Sequence, residues 1–231
     1  KVSGIINGTT NYILSRMDKE DVNYGEVLKD AQELGYAESD PAADVEGSDA
    51  ADKIAILSGL AFGGAINRAE IPTTGINLLQ AIDVNYARKL GYGIKLLAIS
   101  EKDRDTSESE GSQALSVWVE PTLVPEDNPL AGVNGVNNAI LVEGDPIGQV
   151  MFFGPGAGSG PTASAVVADI LNIAGIQSMS DDKALELDPL LSAKSWRFCH
   201  VAEEKEITKK NYIRLIAEDT PGVIGEIGTI F

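Results

Sequence analysis

At 231 residues with 43% apolar content, the chain is long and apolar enough for one large domain, or a medium domain with a small neighbour, around a real core. Its 35 acidic against 18 basic side chains leave a formal charge of −17, a surface that repels phosphate backbones and anionic membranes, so neither nucleic acid nor membrane is expected as a partner. The single cysteine, Cys199, excludes an internal disulfide and a cysteine-cluster zinc site, and the single histidine, His200, cannot support a histidine-rich metal centre, so no metal is expected; the absence of any run of ~20 apolar residues and of a signal-like start points to the cytoplasm.

Lys1 is followed directly by VSGIINGTTNYIL, which enters apolar structure at once. After a turn at NGTT, residues 9 to 17 carry apolar positions at helical spacing, with Thr9 or Thr10 as the N-cap. Residues 24 to 34 put Val27, Leu28, Ala31 and Leu34 on one helical face and stop at Gly35. Residues 47 to 62 predict a buried helix and residues 77 to 91 a further amphipathic one. The pattern then changes. YGIKLLAISEK, ALSVWVEPTLVP, NNAILVEGD and IGQVMFFGP are β-branched or aromatic runs between turn-forming residues, the signature of antiparallel strands, with a polar loop DRDTSESEGS between the first two. GPGAGSGP follows, then the small-residue helix TASAVVADILNIAG. Residues 178 to 194 read as an irregular connection, SWRFCHVAEE as a strand, YIRLIA as a last strand, and a helix closes the chain.

Helices followed by strands predict an α+β domain: a sheet of mainly antiparallel strands covered by helices on one face. The uncovered face would then pair with a second copy, sheet to sheet, as a homodimer.

The run LGYAESDPAADVEGSDAADK, residues 34 to 53, concentrates carboxylates ahead of Lys53. In a helix through 49 to 62, Asp49 and Lys53 share a face. Such a pair on a surface contributes only ~0.3 to 0.5 kcal/mol and has no necessary function. Asp40 before Pro41 suits a helix start, and Asp44 and Asp49 suit helix N-termini. Gly35 and Gly47 would let the backbone turn Glu38, Asp44 and Asp49 towards one point, where they could hold the amino group of a small molecule. The apolar run after Lys53 is expected to surround its ammonium and favour proton transfer.

Eleven positions in residues 31 to 53, Ala31, Gly35, Tyr36, Ala37, Asp40, Pro41, Asp44, Val45, Gly47, Asp49 and Lys53, match the signature of homoserine dehydrogenases. GIINGTTNYIL resembles the opening of that family's substrate domain, and GPGAGSGPTASAVVADI its late glycine loop and helix, so the resemblance spans residues 4 to about 175. It implies reversible, NAD- or NADP-dependent reduction of aspartate semialdehyde to homoserine, on the route to threonine and methionine. It implies further that Lys53 exchanges a proton with the substrate oxygen and that Asp49 holds the substrate hydroxyl and Lys53. Glu38 and Asp44 would bind the amino end, with Tyr36, Gly8 and Thr9 close by. The glycine loop is not a GxGxxG fingerprint in a βαβ unit, but it precedes a helix, where backbone can approach a ligand. The resemblance implies contact with the nicotinamide end through Gly156, Ala157 and Gly158.

Both ends read as interior sequence, so the chain is expected to be a fragment whose nucleotide-binding Rossmann domain lies upstream, and to be inactive without it. NYIRLIAEDTPGVIGEIGTIF resembles the first strand, turn and helix of an ACT domain, an amino-acid-sensing module, for which threonine is the expected effector. The expected division is a substrate-binding, catalytic and dimerisation domain at residues 1 to 204, then a linker and incomplete ACT domain at 205 to 231. The alternative is an amino-acid-sensing regulatory module in which the acidic region is scaffold.

Overall fold

The computed structural model describes residues 1–102, 114–178, 197–218 and 220–230. In chain order its elements are β1 (Val2–Ile5), α1 (Gly8–Glu20), α2 (Tyr24–Glu33), α3 (Ala42–Val45), α4 (Ser48–Phe62), β2 (Gly64–Ala65) and α5 (Ala81–Lys89). Then follow β3 (Tyr92–Lys102), β4 (Ala114–Pro125), β5 (Asn137–Gly144), β6 (Gly148–Pro155), α6 (Ser159–Ser178), β7 (Arg197–Phe198), β8 (His200–Val201) and α7 (Val223–Ile230). The expected polar loop at 103 to 112 and nearly all of the connection at 178 to 194 lie outside the described residues.

The main sheet has the order β6-β5-β1-β3-β4-β8, antiparallel except for the short parallel β4–β8 pair. The α+β class is therefore as expected, and the four long strands fall where β-branched and aromatic residues run between turn formers. β1 was not foreseen. It has only four residues, too short to show alternation, yet all four are buried because it lies between β3 and β5. β2 and β7 form a separate parallel pair, so the strand expected at 195 to 204 is split between two sheets.

On the helical face, α1 contributes Ile13, Leu14 and Met17, α2 Val27 and Ala31, and α4 Ala50, Ala51 and Ile54. They form one core with Leu96, Ala98, Val117 and Val119 of the sheet. Each large aliphatic side chain so removed from water contributes about 1.5 to 3 kcal/mol before the entropy of ordering is set against it. The other face is not bare. Ile5, Leu97, Ile99, Trp118, Ala139 and Leu141 are buried there with Leu130 and Val133 from the turn after β4, and with Ala202 and Ile207 after β8. Chain segments with no regular pattern thus fold back over the central strands of the face expected to be uncovered, while β6 leaves Met151, Phe152 and Phe153 exposed.

Residues 212 to 217, expected as a strand, pair with no strand among the described residues. Their polar groups bind α5 instead. Arg214 Nε donates to Asp83 Oδ1 at 2.6 Å and the Tyr212 hydroxyl lies 3.4 Å from the same oxygen. Burial alone would raise the Asp83 carboxyl, but Arg214 and the Gln80 N–H bring it below the ordinary carboxylate range. A side-chain anchor has replaced the ladder that the β-branched run suggested.

Candidate active site

The site is assembled at the N-terminal ends of three helices. Asn7, between β1 and α1, caps α1: its side-chain oxygen accepts the Thr10 N–H at 2.9 Å. Thr9 and Thr10 were expected in that role, but the helix already starts at Gly8. The Asn7 amide Nδ2 donates to Asp44 Oδ1 at 2.7 Å and to Asp49 Oδ2 at 3.0 Å. One capping side chain thus brings together two carboxylates from α3 and α4. Each stands in the first turn of its helix, where the dipole favours negative charge.

Lys53 is one turn further along α4. Its Nζ donates to Asp49 Oδ2 at 2.7 Å and to the Ile6 carbonyl at 3.1 Å. The expected apolar surround is formed only in part: Ile56 and Leu57 line a cavity together with Lys53, but the Lys53 side chain is 47% exposed and its head is held by oxygens. The residues after Lys53 bury the far side of the helix, through Ile54 and Ser58. The close turn from α3 into α4 needs Gly47, with φ at 86°, where a Cβ would lie 3.1 Å from Thr73 Cγ2. Asp40 accepts the Ala42 N–H at 3.2 Å, in keeping with its expected place at a helix start.

Thr9 Oγ1 donates to the Tyr36 carbonyl at 2.7 Å, and the Tyr36 ring packs 4.9 Å from that of Tyr12, so the 8–9 turn and Tyr36 are neighbours. At Gly8 a Cβ would come 2.9 Å from the Val136 carbonyl oxygen, which ties this turn to the segment before β5. Glu38 is exposed, its backbone carbonyl accepting from Gln32, and its carboxylate has no hydrogen bond to the Asn7 group among the described contacts.

Gly156, Ala157 and Gly158 are exposed in the loop between β6 and α6. A cavity of about 500 Å³ joins this loop to α4: Lys53, Ile6, Ile140, Phe152, Asn138 and Gly156 are among its lining residues. Its walls are mainly apolar, with an ammonium and a side-chain amide as polar points, a composition suited to a flat organic ring.

Behind the site, Lys95 of β3 is 4% exposed and donates to the Val133 carbonyl at 2.5 Å and to the side-chain oxygens of Asn11 and Asn134. Burial pushes its ammonium down to about 8, with Asp18 opposing and Lys19 adding to the fall. Asn11 also donates to the carbonyls of Val133 and Asn137, so α1 and the segment leading into β5 are held as one unit. The sequence reading missed Asn7, Lys95 and Asn138. Asn7 carried a usable signal, an N-cap residue type just before a helix; a lysine inside an apolar strand and an asparagine at a strand start carried none that separates them from solvent-facing positions.

The homoserine dehydrogenase family model matches residues 1–171. A homoserine dehydrogenase from Synechocystis is 54% identical over 230 residues, which is 100% of this chain and 52% of that protein. One from Corynebacterium glutamicum is 41% identical over 100% of this chain and 49% of its own length. Among solved structures, a homoserine dehydrogenase from Thiobacillus denitrificans superposes with a TM-score of 0.83 at 37% identity, covering 99% of this chain and 51% of that one. A hyperthermophilic archaeal homoserine dehydrogenase mutant in complex with NADPH matches with a TM-score of 0.57 at 29% identity, over 74% of this chain and 46% of that one. The chain spans about half the length of the relatives it matches.

Proposed function

Since the chain belongs to the homoserine dehydrogenase family, we propose that the full-length protein interconverts L-homoserine and L-aspartate 4-semialdehyde with NAD or NADP as hydride carrier. The observation that carries this reading is the hydrogen-bonded set Asn7, Asp44, Asp49 and Lys53 at the edge of the cavity that also reaches Gly156. When bound, the nicotinamide supplies or accepts the hydride, and every other task falls to the protein.

Reduction of an aldehyde builds alkoxide charge on its oxygen. Lys53, held by Asp49 and the Ile6 carbonyl, stabilises that charge and donates the proton; in the oxidative direction its neutral amine takes the proton back. Asp49 orients the lysine and receives the substrate hydroxyl. Asp44 and Glu38 receive the substrate ammonium, with Gly8, Thr9 and Tyr36 bordering it, while Gly156, Ala157 and Gly158 border the cofactor. Asn7 positions both aspartates through one amide. Residues 1 to 204 form the substrate-binding and dimerisation unit, and residues 205 to 231 belong to a linker and an ACT-type segment with threonine as effector. A cytoplasmic homodimer is the expected form.

The test is Lys53→Ala in the full-length protein, assayed for homoserine oxidation alongside circular dichroism. Loss of turnover by orders of magnitude with an unchanged spectrum supports the reading. Unchanged turnover sinks the assigned role of Lys53. No homoserine oxidation by the unmodified protein, together with saturable amino-acid binding, favours a sensing module instead.

A further inference from the structure

We propose that Asn138 is a further binding residue, whose side-chain amide pairs with the carboxamide group of the nicotinamide ring. The inference rests on the dehydrogenase reading above and extends it to a residue outside the matching signature.

Asn138 is the second residue of β5, opposite Gly154 in β6, so the strand register fixes it beside the glycine loop. The fit is close: a Cβ built on Gly156 would lie 1.9 Å from Asn138 Nδ2 and 2.5 Å from its Cγ. On its other side, Oδ1 lies 3.7 Å from where a Cβ on Gly8 would stand. The amide therefore sits between the turn assigned to the substrate and the loop assigned to the cofactor, and lines the cavity that Lys53 also lines.

Part of its hydrogen-bonding capacity is unused: Oδ1 is buried without a partner among the described residues. A buried amide oxygen without a partner is costly to keep in the folded state, and a ligand donor would relieve that cost. The buried hydroxyls of Ser58 and Ser100 are also unpartnered, but neither lines this cavity. An asparagine amide offers one accepting and one donating end, so whichever way it is turned it complements a second primary amide. The nicotinamide ring carries such a group, and Ile6, Ile140 and Phe152 supply apolar surface for the ring itself. Fixing the carboxamide restricts rotation of the ring. It also explains why position 156 has no side chain: any Cβ there would displace the amide.

Fluorescence titration of the full-length protein with NADPH tests this, using Asn138→Ala and Asn138→Leu and checking folding by thermal melting. The dissociation constant should rise roughly tenfold in both, while the homoserine KM stays within about twofold. A second arm uses the oxidised dinucleotide and its 3-acetylpyridine analogue, in which a methyl group replaces the amide NH2. The unmodified protein should bind the analogue several-fold more weakly, and the variants should bind the two alike. Unchanged NADPH affinity in folded variants overturns the proposal, as does a raised homoserine KM with NADPH affinity intact, which would assign the amide to the substrate. Should both variants fail to fold, equal binding of the two dinucleotides by the unmodified protein still overturns it. If the unmodified protein neither binds NADPH nor oxidises homoserine, the dehydrogenase reading itself fails, an outcome visible before any variant is made.

Discussion

Two helices of similar composition meet opposite fates in this molecule. α4 and α6 are both rich in small and aliphatic residues, yet α4 buries Ala50, Ala51, Ile54, Ser58 and Gly59, whereas α6 buries nothing along its 20 residues. Val166, Val167, Ile170, Leu171 and Ile173 of α6 are each at least half exposed. The difference lies in what faces them. α4 lies against β1, β3 and β4, while no described element presents a matching surface to α6. Composition decides what a helix can bury, and a facing surface decides what it does bury. The contrast has a functional side: packing one face of α4 is what fixes Asp49 and Lys53 on its other face.

The sharpest way to separate those two duties of α4 is the substitution that removes only the chemistry. Lys53→Ala is expected to lower kcat of the full-length protein by about 10²- to 10⁴-fold while leaving the melting temperature within a few degrees. A parallel loss of folding would mean that Lys53 belongs to the packing and not to the site. Next comes Ile54→Ala, which opens a cavity beneath a residue at 0% exposure and should cost about 2 to 5 kcal/mol in urea denaturation of the 231-residue chain.

Lys95 tests the same core by pH. Its ammonium is pushed down to about 8 in the folded protein, against an ordinary value of 10.5. Between those values the unfolded chain binds more protons than the folded one, so stability should rise with pH from about 8 to 10.5, by at most about 1.4 kcal/mol per pH unit. Lys95→Met should flatten that slope in denaturation midpoints measured across the interval; an unchanged slope would place its origin elsewhere. The smallest effect is expected on the unpacked helix. Ile170→Ala should change the stability of the 231-residue chain by no more than about 0.5 kcal/mol, and a loss near that of Ile54→Ala would show that α6 is covered after all.

Much of this architecture is legible in the sequence because long strands and amphipathic helices write their period into it. The four runs from Tyr92 to Pro155 became β3 to β6 almost residue for residue. Val2–Ile5 did not announce itself, since four residues, VSGI, are too few to separate a strand from the start of a helix. Residues 212 to 217 misled in the other direction: their β-branched pattern is real, but a strand needs a free ladder edge, and Arg214 found Asp83 instead. At the site, the i, i+4 spacing of Asp49 and Lys53 foretold their ion pair. The apolar run after Lys53 also suggested apolar packing around the lysine, which is met only in part because the helix turns its buried face away from it.

By itself, the sequence determined the α+β class, the boundaries of the four long strands, the helix starts near Asp40 and Asp49, and the residue pattern of the acidic run, because each depends on neighbours within about one turn or one pleat. The tertiary structure decided the rest. It placed Asn7 between Asp44 and Asp49, buried Lys95 among carbonyls and amides, covered the second face of the central strands, and set Asn138 against Gly156. The physical reason is range: these contacts join residues tens of positions apart, and no local period or propensity records which distant group will stand within hydrogen-bonding distance.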